Sequence, residues 1–340
     1  MPKKALVICP GRGSYSKDTL GYLKDSSSQK LAEANRFRKL RHQPTPSELD
    51  SKPRFAARFH LAGESASILT AACSLADYDS INLDKYDIIG VCGNSMGHYT
   101  ALAISGVLSL QDSLRLIDQM GAYQEDNIIG GQLLYPLADE DWIVQNNRIL
   151  QINTLVEQIP DLYHSIHLGT QAILGGTKEA LQRANEQLPP CKQSRHTFPI
   201  LLPMHSAFHT PLMEFTARRA QWDLSDLQWE SPRITLIGGL GNVWHPKACN
   251  PQKIKEYTLG PQLLEPYDFN QMLQNAIAHL SPEVLILLGP GSNLGGAVAQ
   301  NLISLGWSEI RSKKDFLTRQ TEAPILLSMG RPLQRDLVCN

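Results

Sequence analysis

An α/β fold carrying a small inserted α+β unit is what this sequence predicts, and three observations predict it. Short apolar runs at residues 5–9 (ALVIC), 87–92 (DIIGVC) and 283–288 (EVLILL) each stop at a turn rich in Gly or Pro. Runs of that length, apolar at consecutive positions, suit strands buried on both faces of a parallel sheet. Stretches of helical length lie between them, which argues for a sheet with helices on both faces. Near Ile128 the texture changes to shorter, more polar segments that end at Pro189-Pro190.

The chain of 340 residues is 42% hydrophobic and 19% charged, enough to bury a sizeable core and too little charge for a solvated disordered chain. Its length suggests about two domains. With 32 Lys and Arg against 33 Asp and Glu the net charge is −1, so the basic footprint of a nucleic-acid binder is missing. The six cysteines are scattered without C-x-x-C spacing. They read as small buried hydrophobes or incidental thiols of a reducing compartment, not as a disulfide framework or metal site. No apolar run approaches the ~18 residues that span a bilayer, and the run at 5–9 is too short for a signal-peptide core. A cytoplasmic protein with neither nucleic acid nor membrane as partner is expected.

Along the chain, the strand at 5–9 leads into the loop Pro10-Gly11-Arg12-Gly13-Ser14. Residues 30–58 are polar and hold eight Lys or Arg against three acids, with Pro44, Pro46 and Pro53 breaking any long helix. This window suits an acidic or phosphate-bearing partner, or equally a solvated linker. A buried helix is predicted at 64–76, a strand at 87–92 and a helix at 97–108. Then 130–137, a stretch up to 158, 165–175 and 178–188 read as strand, helix, strand, helix. Strands are expected again at 198–203, 234–238 and 283–288, the last ending in Gly289-Pro290-Gly291, and a further one at 324–329 in a tail of no evident function. The boundaries expected are a larger domain of residues 1–127 and 199–340, and an insert of 128–198.

Gly93-Asn94-Ser95-Met96-Gly97 falls directly between a predicted strand and a predicted helix. That is the setting of the G-x-S-x-G nucleophile elbow, where glycines flank the serine because the turn leaves no room for side chains. The helix that follows aims its N-terminal amides at the site, and the Met96 N–H is a natural donor to an oxyanion. A nucleophilic serine needs a base, and histidine suits that role. His98, three residues on, is a possible neighbour of the pocket; His205 and His209 sit together in Met204-His205-Ser206-Ala207-Phe208-His209.

Four segments, in order, resemble one family. Pro10-Gly11-Arg12-Gly13-Ser14 is similar to a P-G-Q-G-S loop. Gly93-Asn94-Ser95-Met96-Gly97-His98-Tyr99-Thr100-Ala101-Leu102 is similar to G-H-S-[LMQ]-G-E-Y-x-A-L. Ala207-Phe208-His209-Thr210-Pro211-Leu212-Met213 is similar to A-F-H-S-P-L-M, and Gly289-Pro290-Gly291 to a late G-P-G turn. These are motifs of the malonyl-CoA:acyl-carrier-protein transacylases and the acyltransferase domains of polyketide synthases. The resemblance implies an α/β-hydrolase-like larger domain with an inserted ferredoxin-like subdomain, and no cofactor. It implies acyl-CoA and an acyl carrier protein as partners, with Ser95 as nucleophile and His209 as base. It also implies an oxyanion hole from the amides of Met96 and Arg12, and a main-chain carbonyl near 234–238, from Gly238 or Gly239, orienting the base.

The sequence departs from that family at three places. Met120 stands where malonyl-selective members carry an Arg that binds the free carboxylate, and a carboxylate buried against a thioether costs several kcal/mol. Arg115, five residues earlier, lies about 140° round the helix and cannot simply substitute. This points to an acyl group other than malonyl. Arg12 replaces a Gln; turned inward it offers a replacement clamp for malonyl, turned outward a contact for CoA phosphate. Asn94 and His98 replace the His and Glu flanking the serine. With Phe208 and Met120 they are expected to line the substrate site. Three readings stay open: acyl transfer to a carrier protein, hydrolysis of acyl carrier proteins, and a non-catalytic carrier-binding subunit.

Overall fold

The computed structural model describes residues 1–126, 128–193 and 196–340. Its first sheet has six strands in the spatial order Val243–Trp244, Thr235–Ile237, Tyr86–Gly93, Lys3–Cys9, Val284–Leu287, Leu326–Ser328. All neighbours are parallel except the first pair. The central strand shows why the apolar runs are continuous. Successive side chains point to opposite faces, and here both faces are buried: Ala5, Val7 and Cys9 enter one core, Leu6 and Ile8 the other. Helices Gly63–Asp79, Gly97–Ser105 and Leu110–Asp126 cover the first face. Helices Phe269–Leu280 and Gly295–Ser304 cover the second.

A second sheet of five strands runs Tyr267–Asp268, Leu162–Leu168, Gln171–Gly176, Gly131–Pro136, Ile200–Leu201. Only the Tyr267–Asp268 pairing is parallel. Helices Asn146–Gln158 and Lys178–Gln187 back one of its faces through a core of its own that includes Leu133, Ile152, Leu155, Leu174 and Leu181. The opposite face is left to the cleft described below.

Several local readings are corrected. The single strand expected at 165–175 is a hairpin, Leu162–Leu168 and Gln171–Gly176, turning at Gly169 and Thr170. Gly169 adopts φ +60°, which glycine reaches without strain, but one glycine within an apolar run is a weak mark of a turn. The strand expected at 198–203 is divided into His196–Phe198 and Ile200–Leu201. Between them stands Pro199, which has no N–H to give to a ladder. The basic window is not a solvated linker. It forms the helix Gln29–Leu40, capped by the Ser28 hydroxyl, and shorter helices at Pro46–Asp50 and Ala57–His60. Several of its charges meet acids of the same chain: Lys30 pairs with Asp79, Arg36 with Glu33, and Arg38 and Arg41 with Asp118.

The tail supplies the edge strand Leu326–Ser328 and the helix Pro332–Cys339. From that helix Arg335 lies 2.7 Å from a carboxylate oxygen of the buried Asp77. The other oxygen of Asp77 accepts the Gly289 N–H at 2.7 Å and the Tyr22 hydroxyl at 2.7 Å. The tail therefore closes the sheet edge and holds the Gly289-Pro290-Gly291 turn. Among the described residues, no helix is long and apolar enough to cross a membrane.

Candidate active site

The strand Tyr86–Gly93 delivers Ser95 on a turn so tight that its φ is +52°. The glycines on either side are there for space. A Cβ on Gly93 would fall 2.2 Å from the main chain of Gly97, and one on Gly97 would fall 2.3 Å from the carbonyl oxygen of Cys9. The turn is pinned at both ends. The Asn94 N–H donates to the Cys9 carbonyl at 2.9 Å, and the Tyr267 hydroxyl donates to the Gly93 carbonyl. The helix Gly97–Ser105 starts at once, so its N-terminal amides face the serine.

His209, also at positive φ (+58°), meets the serine from the opposite wall. The Ser95 Oγ lies 2.7 Å from His209 Nε2, and His209 Nδ1 lies 2.7 Å from the carbonyl oxygen of Gln262. A carbonyl only accepts, so Nδ1 carries the proton and donates it, leaving the Nε2 lone pair toward the serine hydroxyl. Burial holds the imidazole neutral, its pKa lowered to about 4 against a smaller opposing pull from the Gln262 carbonyl.

The orienting carbonyl is thus not Gly238 or Gly239, as expected, but Gln262, in the turn Pro261–Leu264. Gln262 touches both partners, because its side-chain Nε2 donates to the Ser95 carbonyl at 3.1 Å. Its Oε1 accepts from the Tyr257 hydroxyl at 2.9 Å, and that hydroxyl accepts the Gly239 N–H at 2.6 Å. The glycine turn therefore supports His209 at one remove. Sequence reasoning missed Gln262 because its contact with His209 is made by the main chain, which any residue type offers.

A cavity of about 620 Å³ opens on Ser95 and His209, and Arg12, Asn94, Met96, Met120 and Phe208 all line it. Arg115 does not, its guanidinium being held 2.6 Å from Asp226 and 3.0 Å from the Asp223 carbonyl. Arg12 is the only Lys or Arg among the described residues of the lining. Its side chain turns inward, 8% exposed, and donates to the Met204 carbonyl. Beside it, His205 Nδ1 is 2.7 Å from Gln132 Oε1, and burial, with Arg12 nearby, lowers its pKa to about 3.

His98 is corrected: it does not line the cavity. The elbow throws Ser95 out of the helix while His98, on the first turn, faces the core. It is fully buried, 3.0 Å from the Thr258 hydroxyl and edge-on to Tyr257. Burial lowers its pKa to about 3, so it supplies no cation to the site.

These neutral histidines have a cost in acid. Below 6.5 the unfolded chain takes up protons that the native imidazole of His98 refuses until about pH 3. Stability therefore rises with pH across that window and is lost as pH falls, by about 1.4 kcal/mol per pH unit for each such histidine. Replacing His98 by Gln is expected to flatten the slope by that amount, read from urea unfolding at a series of pH values between about 4.5 and 6.

A serine on a tight turn at the end of a parallel strand, with a histidine against it and a second sheet over the cleft, defines an α/β fold with a strand–turn–helix serine elbow. The fold is, more particularly, that of acyl-carrier-protein S-malonyltransferases. The enzyme of that name from Burkholderia pseudomallei superposes with a TM-score of 0.74 at 19% identity, over 99% of both chains. A malonyl-transacylase solved in complex with its type II polyketide synthase acyl-carrier protein superposes with a TM-score of 0.73 at 16% identity, again over 99% of both. In sequence, the malonyl CoA-acyl carrier protein transacylase of Salmonella typhimurium is 24% identical over 209 residues. That match takes in 61% of this chain and 63% of the relative's length. No family model matches the chain. The relatives and the neighbouring structures support the resemblance read from the motifs.

Proposed function

We propose that this chain is an acyl-CoA:acyl-carrier-protein S-acyltransferase of fatty-acid or polyketide assembly, working through an acyl-Ser95 intermediate on an acyl group that lacks a free carboxylate. The observation that carries the reading is the 2.7 Å contact between Ser95 and a neutral, buried His209 at the floor of a cavity lined by Met120. Ser95 Oγ attacks the thioester carbonyl as Nε2 of His209 takes its proton. The amides of Met96 and Arg12 hold the oxyanion, a kind of donor worth about 3 kcal/mol each. The C–S bond breaks and the proton returns to the departing thiol. The thiol of a phosphopantetheine arm then enters by the same steps in reverse. The separate core behind the second sheet supports reading residues 128–198 as an inserted ferredoxin-like subdomain.

Arg12 supports a second reading, malonyl transfer with this guanidinium as the carboxylate clamp, since it is buried and turned into the cavity. Intact-protein mass spectrometry after incubation with acetyl-CoA or malonyl-CoA, for the unmutated chain and Ser95→Ala, decides between them. The expected result is a Ser95-dependent acetyl adduct, discharged by a carrier-protein thiol, and no malonyl adduct. A malonyl adduct that Arg12→Gln abolishes would establish the second reading. Release of free acid with no carrier acylated would make the chain a hydrolase.

A further inference from the structure

The face of the second sheet that looks into the cavity carries an ordered row of side chains. Register places Ile166 opposite Ile173, Ile173 opposite Leu134, and Leu134 opposite Ile200. Residues directly opposite one another share a face, so these four side chains form one unbroken aliphatic row across four adjacent strands. All four line the cavity that holds Ser95 and His209. At the usual interstrand spacing the row is about 14 Å long. Its Ile166 end lies beside the segment that carries His209, because Ser165, next to Ile166, donates its hydroxyl to the carbonyl of Phe208 at 2.8 Å, and Phe208 adjoins His209. An acetyl or malonyl group ends at its second or third carbon and leaves such a row unused.

We infer that the acyl group carried on Ser95 is an uncharged linear aliphatic chain longer than acetyl, its tail laid along the row Ile166, Ile173, Leu134 and Ile200. This rests on the acyl-enzyme reading above. The step is the same: the Ser95 Oγ–acyl bond forms, the thioester C–S bond breaks, and the serine proton leaves on the thiol through His209. Met120 and the aliphatic row then act together, the first withholding a charge partner from a carboxylate, the second rewarding each added methylene.

The test is kcat/KM for acylation of Ser95 by acetyl-, butyryl-, hexanoyl- and octanoyl-CoA in the full chain, followed by release of CoA thiol and by the mass of the adduct. The expected result is a rise of about fourfold for each methylene that the row buries. Leu134→Asn is expected to cut the octanoyl-to-acetyl ratio tenfold or more. Leu134→Trp, which keeps the face apolar and shortens the row, is expected to shift the optimum to shorter chains, so a folding defect in one variant does not decide the matter. A flat or falling dependence on chain length, with acetyl adducts still forming, would overturn this inference and leave the acyltransferase reading standing. Ratios unchanged in both Leu134 variants would overturn it too. No adduct with any thioester would refute the acyl-enzyme itself, and this inference with it.

Discussion

His209→Asn is expected to slow acylation of Ser95 by about 10⁴-fold or more, and Ser95→Ala to abolish the acyl adduct. The size follows from the role proposed for the pair. The serine hydroxyl is a poor nucleophile until its proton is taken, and the acceptor 2.7 Å away is a neutral Nε2 fixed in the useful tautomer by the Gln262 carbonyl. Removal of one member of such a unit costs nearly as much as removal of the whole. The double variant should therefore be no slower than Ser95→Ala alone. Asparagine is the choice at 209 because it tolerates the positive φ found there, which keeps the loss chemical. CoA release and adduct mass, measured together, check it.

Arg38→Met is expected to destabilise the fold by about 3–5 kcal/mol, the range for stripping one partner from a buried ion pair. Arg38 is fully buried on the helix Gln29–Leu40, and its guanidinium meets Asp118, itself 2% exposed, and Glu64 at 3.3 Å. Without Arg38, Asp118 keeps, among the described residues, the half-exposed Arg41 as its ion-pair partner, 3.1 Å away. Adding Asp118→Leu should recover most of the loss, since a buried pair replaced whole by apolar groups is often neutral. Urea midpoints of the single and double variants check both statements. Asp118 lies on the helix Leu110–Asp126 two residues before Met120, so the pair also anchors the helix that shapes the cavity wall.

The parallel core is legible in the sequence because strands buried on both faces have no polar alternation to hide them. Ser95 is legible because the elbow demands small residues at fixed places, whereas His209, 114 residues away, is picked out only by the resemblance of Ala207–Met213 to a family motif. Other features leave no such trace. Gln262 acts on His209 through its main chain. The hairpin at Gly169 is marked by one glycine alone. His98 looks like a pocket residue by its distance along the chain, and only the direction in which the elbow ejects Ser95 shows it to be part of the core. The aliphatic row exists only once four strands are in register, and no single segment announces it.

The group that steadies His209 is a peptide carbonyl, not a carboxylate. A carboxylate in that position would stabilise the imidazolium that forms as the serine attacks; a neutral dipole does so less. On the proposed reading His209 is therefore a weaker base than a carboxylate-backed histidine, adequate where the departing group leaves with little help from a proton. A thiol, with a pKa near ~8.5, is such a group, whereas an amine is far more basic. On the proposed acyltransferase reading, such a pair would suit exchange between thioesters better than the cutting of peptide bonds, with the orienting contact made by the backbone at position 262.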